Sequence, residues 1–361
     1  MTVPFAINGL GRVGRAVVRI AAARGDVELV AANDLVPPEV LARLLRRDTV
    51  HGPFAGTVTA EDGALVVDGR RVPLTARAEP AEIPWEGTGA RIVVEATGAV
   101  DSRAAAAGHL RGEVERVVWS ANRQAADVTL CLGINDGDYD PARHRVVSNS
   151  SCTTNCLAPL ARVLDDGWGV ERAMMSTVHA YTVNQRLLDL PHADPRRARA
   201  AAQNVVPTST TAPRALGRVL PGLAGRVEGM AVRVPTPAVA MLDLVAHLAR
   251  DTDAEAVREG LRRAAAEGPL AAVLAVTDEE LVSSDFVGSP HSAVVDLPLV
   301  AVAGGRLARV VAWYDNEWGY ATRLVELVAR LGGAASAPAP PDPVRDPRPT
   351  DRPPTDSGAD R

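Results

Sequence analysis

The chain is predicted to join a doubly wound parallel α/β sheet of the Rossmann type to an α+β domain built on a mixed or antiparallel sheet. Three observations predict this. Short apolar strands alternate with helical stretches in the first part of the chain; a glycine turn, NGLGRVG, follows the first strand; and longer β-like runs then replace the alternation. A length of 361 residues is also long for one core, so two domains are expected.

The segments VPFAING and VELVAAND read as the first two strands. Between them RVGRAVVRIAAAR carries apolar residues at helical spacing. RIVVEATG, RVVWSAN and VTLCLGIN continue the strand series. Past about residue 150 the strands lengthen: AMMSTVHAYT, EGMAVRVPTP, AMLDLVAHLA and GGRLARVVAWYDNEWG, interrupted by helices such as DAEAVREGLRRAAAEG. YATRLVELVARLGG makes a last helix, stopped by Gly332 and Gly333. Residues 334–361 are too rich in Pro and Asp to bury a core and are expected to be disordered.

Composition narrows the function. The apolar fraction of 47% is that of a globular protein, and no apolar run approaches a membrane span. The opening MTVPFAINGLGRVGR lacks the charged n-region and apolar stretch of a secretory signal, and the three cysteines are an odd number. Reduced thiols and a cytoplasmic location are therefore expected. A net charge of −5 leaves no footprint for nucleic acid. All 39 basic residues are Arg, as GC-rich coding would produce, so no lysine is present to form a Schiff base or a P-loop.

In NGLGRVG, Gly9, Gly11 and Gly14 have G-x-G-x-x-G spacing after a strand and at the opening of a helix. Gly9 permits the tight turn, Gly11 lets the backbone approach a pyrophosphate, and Gly14 allows close helix–strand packing. The helix N-terminus offers free N–H groups to the phosphates. Asp34 ends the second strand about twenty residues on, where a carboxylate binds ribose hydroxyls and repels a 2′-phosphate. The expected cofactor is NAD rather than NADP.

The stretch SNSSCTTNC holds Cys152 and Cys156. If CTTNCLAPLARVL opens a helix, the pair is poorly placed for a disulfide. No second Cys or His pair completes a zinc site, and no metal is expected. A nucleophile remains, and Cys152 stands at the strand-to-helix junction, where the helix dipole favours a thiolate. Cys156 is expected in the helix face and Cys131 in the core. Of seven histidines, His179 in STVHAYT is the best candidate base, with a satisfied core histidine as the other reading.

In order along the chain, AINGLGRVGR, NDL, LLRRDTVHG, NSSCTTNCLAP, TVHAYT, LDLPH, RRARAAAQNVVPTST, MAVRVPTP and WYDNEWGY resemble the motifs of the phosphorylating (type I) glyceraldehyde-3-phosphate dehydrogenase family, over about residues 2–331. The resemblance implies a nucleophilic Cys152. It implies a His179 that lowers the thiol pKa and accepts a proton as hydride leaves for the nicotinamide. It also implies a thioester captured by inorganic phosphate. By the same resemblance, Thr182, Arg197 and Arg233 hold the C3 phosphate of glyceraldehyde 3-phosphate. Ser151, Thr153, Thr210 and Thr211 stand at the site of the attacking phosphate. Arg12, Val13, Thr97, Ser120, Asn316 and Tyr320 join the glycines and Asp34 along NAD, and Leu190 and Pro191 belong to the NAD-type version of their loop. The implied division is a cofactor domain over 1–151, completed by a C-terminal helix over 319–333, and a catalytic domain over 152–318. The implied assembly is a homotetramer, in which about 181–203 reaches a neighbouring subunit.

Departures from the family pattern cluster at the pocket. Val183 replaces an amide in TVNQ, and Thr211 stands where glycine is common, with Pro213 close by. Asn122 lies in WSANR where Ser-Ala-Pro is usual, Val100 replaces a phenylalanine, and Ala193 stands where a lysine is common. Neutral drift accounts for such changes. A sharper expectation is a second isozyme whose pocket resists a thiol-directed electrophile. Two other functions compete: erythrose-4-phosphate dehydrogenase, which SPHSAVVD and DNEWG also resemble, and a non-catalytic NAD-binding regulator or scaffold.

Overall fold

In the computed structural model, residues 2–333 are described, and the tail expected at 334–361 lies outside them. The first unit runs β1 (Val3–Asn8), α1 (Arg12–Ala22), β2 (Val27–Asn33), α2 (Pro38–Arg46), β3 (Arg47–Asp48), β4 (Gly52–Pro53), β5 (Val58–Glu61), β6 (Ala64–Val67), β7 (Arg70–Thr75), β8 (Ile92–Glu95), α3 (Arg103–Ala107), β9 (Arg116–Trp119), β10 (Val128–Thr129) and β11 (Val146–Ser148). Nine of these strands form one sheet in the order β10-β11-β9-β8-β1-β2-β7-β6-β5. Pairing is parallel from β10 to β7 and antiparallel over β7-β6-β5. The chain moves to one side of β1 with β2 and to the other with β8. Such a reversal of strand order opens a crevice at the C-terminal strand ends. The antiparallel meander over residues 58–75 is not foreseen in the sequence.

The second unit runs α4 (Cys152–Trp168), β12 (Val170–Ala180), β13 (Val206–Thr208), α5 (Ala212–Val219), β14 (Val227–Val234), β15 (Ala240–Leu248), α6 (Ala254–Ala266), β16 (Leu274–Thr277), β17 (Ala293–Asp296), β18 (Ala301–Ala303), β19 (Leu307–Tyr314) and α7 (Trp318–Leu331). Its sheet is mixed, in the order β13-β14-β12-β15-β19-β17-β16, with β18 paired to β19. Strands β12 and β14 are parallel, whereas β12, β15 and β19 are antiparallel neighbours. Helix α4 follows β11, one strand in from the edge of the first sheet, and packs on α5, β15, α6 and β19 of the second, while α7 returns to pack on α1.

Two sequence readings change. VTLCLGIN is strand only over Val128–Thr129, because Asn135 takes over the ladder. Its Oδ1 accepts from Cys131 N and its Nδ2 donates to Thr129 O, both at 2.9 Å. The run GGRLARVVAWYDNEWG stops being strand at Tyr314. There Asp315 accepts from the N–H groups of Glu317 and Trp318, at 2.9 Å each, and so starts α7. Cys131 and Cys156 are buried and all three cysteines are free thiols.

Candidate active site

The glycine turn is built by close approach. Gly9 has φ +95, and a Cβ there would lie 2.8 Å from Thr97 N. A Cβ on Gly14 would lie 2.0 Å from Gly9 O, so only glycine lets α1 descend onto the turn. Gly11 meets nothing within 4 Å, and its side faces open space. The N–H groups of Arg12, Val13 and Gly14 precede the first intrahelical bond, from Arg15 N to Gly11 O, and are left for a ligand. Asp34 lies against this turn, accepting from Leu10 N at 2.6 Å and from Val36 N at 2.9 Å.

Thr97 is held from below by a buried network. Trp85 Nε1, which can only donate, gives its proton to His109 Nδ1 at 3.1 Å, so His109 Nε2–H must donate to Glu95 at 3.0 Å. Glu95 also accepts from Asn8 Nδ2 at 2.6 Å and from Thr97 N at 2.9 Å. Burial opposes its charge, but the bonds from His109 and Thr97 win and hold Glu95 below its ordinary pKa. The sequence reading missed this network.

The thiol comes from the other side. Ser150 adopts φ 56, rare for a residue with a side chain, and turns the chain into α4. Ser151 caps that helix through Thr154 N at 3.2 Å, which places Cys152 at its first position. His179 is the last residue but one of β12 and Arg233 the last but one of β14; the parallel register makes them direct partners. Cys152 Sγ lies 3.6 Å from His179 Nε2. Arg233 Nη1 lies 2.6 Å from His179 Nδ1 and donates to Ala180 O at 2.9 Å, and Nδ1 is itself 2.8 Å from that carbonyl. Tyr314, also unforeseen, packs edge-on to His179 with ring centroids 5.9 Å apart. Its hydroxyl bonds to Thr153 and Thr177 at 2.9 and 2.8 Å.

The electrostatics differ from the sequence expectation. Burial pushes the Cys152 thiol up, and the charge that opposes this is Arg233's. Burial, then Arg233, pushes His179 down to about 3, so the imidazole is neutral. In this arrangement the charge that favours a thiolate is the Arg233 guanidinium.

A cavity of about 550 Å³ joins the two halves. Among the expected site residues, Arg12, Val13, Ser120, Ser151, Cys152, His179, Thr182, Arg233, Asn316 and Tyr320 line it. Asn316 Oδ1 is buried there without a hydrogen-bond partner, as suits a residue that receives the amide of a nicotinamide. Together with the open face of Gly11, this fits a dinucleotide. Thr49, Val50, Tyr181 and Glu317 also line the cavity and were not anticipated. A larger groove of about 1010 Å³ between α4 and α6 holds no thiol or histidine.

Other expected ligands are engaged elsewhere. The Arg12 guanidinium bonds to Asp48 and Glu317, which leaves its backbone N–H as the group open to a ligand. Arg197 Nε donates to Thr208 Oγ1 at 2.9 Å, away from the cavity lining. Thr153 is turned to Tyr314, Thr210 Oγ1 accepts from Ala212 N at 3.2 Å, and Thr211 meets Asn122. Among the described residues, no three His, Cys, Asp or Glu side chains are grouped to hold a metal.

An imidazole against a half-buried sulfur, under a crevice shaped for a dinucleotide, is the equipment of a nicotinamide-dependent dehydrogenase that works through a cysteine. Comparison with known proteins narrows that class. Residues 3–103 match the family model for the NAD binding domain of glyceraldehyde 3-phosphate dehydrogenase, and residues 151–316 match that for its C-terminal domain. The chain is 51% identical over 328 residues to the glyceraldehyde-3-phosphate dehydrogenase of Kitasatospora aureofaciens, covering 91% of this chain and 98% of the relative. It is 47% identical over 331 residues to glyceraldehyde-3-phosphate dehydrogenase 1 of Bacillus subtilis (strain 168), covering 92% and 98%. Glyceraldehyde-3-phosphate dehydrogenase 2 of Streptomyces arenae is 48% identical over 335 residues, covering 92% and 100%. The chain belongs to the glyceraldehyde-3-phosphate dehydrogenase family.

Proposed function

We propose that this chain converts D-glyceraldehyde 3-phosphate, NAD and inorganic phosphate into 1,3-bisphosphoglycerate through a thioester on Cys152. The observation that carries the reading is the 3.6 Å contact between Cys152 Sγ and His179 Nε2 inside the cavity that Asn316 and the glycine turn share. The names of the relatives favour this substrate over erythrose 4-phosphate.

The sulfur adds to the aldehyde carbon, and the thiol proton passes through His179 Nε2 to the new hydroxyl, giving a hemithioacetal. When bound along Gly9–Gly14, Asp34, Thr97, Ser120, Asn316 and Tyr320, NAD supplies the acceptor for the hydride. His179 takes the hydroxyl proton and a thioester remains. A phosphate oxygen then attacks the carbonyl carbon, the C–S bond breaks, and the thiolate is recovered beside Arg233. The two tautomers of His179 serve these steps. With Nδ1–H donating to Ala180 O, Nε2 is a base; with Nδ1 accepting from Arg233, Nε2–H supports the thiolate. Thr182, Arg197 and Arg233 are assigned to the C3 phosphate, and Ser151, Thr153 and Thr210 to the attacking phosphate, with Thr211 beside them rather than on the anion.

The assembly proposed is a homotetramer in the cytoplasm. Leu187 and Leu188 are 77% and 67% exposed on a loop that a neighbouring subunit would cover. Among the described residues, no helix is long and apolar enough to cross a membrane. The deciding assay is NADH formation from glyceraldehyde 3-phosphate with phosphate varied and NADP compared. Turnover independent of phosphate, or faster with erythrose 4-phosphate, overturns the reading.

A further inference from the structure

Asn122 stands two residues past Ser120, in the loop that follows β9, and lines the cavity rim. Its side chain crosses to the other unit. Asn122 Nδ2 donates to Thr211 Oγ1 at 2.8 Å, and Asn122 Oδ1 accepts from Arg218 Nη2. Both partners belong to α5 and its cap: Thr211 precedes the helix and Arg218 lies in its last turn.

The contact explains an oddity of α5. Thr211 holds the N-cap position, yet its hydroxyl makes no capping bond. A threonine there ordinarily accepts from an N–H of the first turn. The hydroxyl is committed to Asn122 instead, and Thr210 Oγ1 takes Ala212 N at 3.2 Å. The far end of the same loop is tied by Arg197 Nε to Thr208 Oγ1, and by Thr208 Oγ1 to Asp194 Oδ2, both at 2.9 Å. Loop 208–211 is thus pinned at both ends, once from its own unit and once from the cofactor side. Arg218 meets an amide at Asn122, and among the described residues no carboxylate pairs with it, so its charge stays available to an anion.

We propose that Asn122 is a positioning residue for the attacking phosphate, a strap that sets Thr210 and the start of α5 through Thr211 and Arg218. The inference rests on the phosphate-dependent reaction above and assigns it a residue from the cofactor side. Cys152, which binds the aldehyde, sits at the head of α4, and the strap's side-chain hydrogen bonds run between Asn122, Thr211 and Arg218 without reaching that helix. Phosphate binding therefore depends on the strap, and aldehyde binding does not.

The test is steady-state kinetics of the full-length enzyme, with aldehyde and phosphate varied independently, on Asn122→Ala, Thr211→Val, Thr211→Ser and the double variant Asn122→Ala/Thr211→Val. Loss of the strap is expected to raise the phosphate KM by roughly 3–10-fold, leaving kcat at saturating phosphate and the aldehyde KM within about twofold. Thr211→Ser keeps the hydroxyl and should match the parent. The double variant should be no worse than either single variant, since both cut one contact. If Thr211 were itself a phosphate ligand, the two effects would add, and that result overturns the strap. So does an unchanged phosphate KM in Asn122→Ala, or kcat and both KM values moving together. Should Asn122→Ala fail to fold, the Thr211→Val and Thr211→Ser pair still decides, since equal phosphate KM values would overturn the proposal. A parent enzyme that ignores phosphate would fail the functional reading, and not the strap alone.

Discussion

The two halves of the cavity are built by different means. On the cofactor side the groups offered to a ligand are main-chain N–H groups in the first turn of α1, and the polar side chains around Glu95 beneath them are satisfied by one another. Glu95 alone is bonded to Asn8, Thr97 and His109. On the thiol side the offered groups are side chains from adjacent strands, and several polar atoms lack partners, including Arg233 Nε and Asn316 Oδ1. The phosphates of a dinucleotide can be held by backbone groups alone. Chemistry on a carbonyl needs particular side chains brought together by register.

The sharpest test of this contrast is Cys152→Ser. Oxidation should fall by at least about 10³-fold while cofactor binding, read by titration, stays within about twofold. Joint loss of both would show that the halves are not separable. His179→Asn should cost about 10²–10⁴-fold in kcat. If the charge facing the sulfur is Arg233's, the inflection of the Cys152 alkylation rate with pH should move up in Arg233→Leu and move less in His179→Asn. The reverse order would make His179, as the family resemblance implies, the group that lowers the thiol pKa.

Within the cofactor side two glycines separate shape from ligand contact. Gly14→Ala drives a Cβ into Gly9 O and should lower stability by about 1–3 kcal/mol, as urea unfolding would read. Gly11→Ala enters open space, so it should leave stability nearly unchanged while weakening NAD. Equal stability losses would remove the distinction.

A smaller effect concerns acid. Burial works against the Asp48 charge, but the N–H groups of His51 and Val50, with Arg12, hold its pKa down to about 2, from an ordinary 3.8. A carboxylate whose folded pKa is depressed stabilises the fold above its unfolded value, and that contribution fades as pH falls from about 3.8 toward 2. Asp48→Asn should flatten the fall of the urea midpoint across this window. An unchanged slope would count against the Asp48–Arg12 tie. The smallest expected effect is at Val183, 90% exposed on the cavity rim. Val183→Asn should change the rate of inactivation by a thiol-directed epoxide about threefold, through one added hydrogen-bonding group. An unchanged rate would remove the idea of a pocket altered against such reagents.

Much of this was legible in the chain. Gly9, Gly11 and Gly14 announce themselves by spacing, Asp34 by its place after the second strand, and Cys152 by its position between a strand and a helix. Tyr314 and the Trp85–His109–Glu95 network were not legible as site parts, and Asn122 was legible only as a departure at the pocket, not as a tie to α5. Each acts through a partner far away in sequence, such as Thr211, 89 positions from Asn122. Arg197 and Arg12 show the opposite difficulty. Their residue types suit an anion, yet the fold ties both guanidiniums to neighbouring side chains.

Local chemistry settled the glycine turn, the capped start of α4 and the thiol at its head, because these depend on backbone conformation within a few residues. Which imidazole meets that thiol, and which charge faces it, was settled only when β12 and β14 lay parallel with His179 opposite Arg233. Strand register and burial are properties of the packed whole. They bring residues tens of positions apart into contact and raise or lower their proton affinity, and no short stretch of chain encodes that.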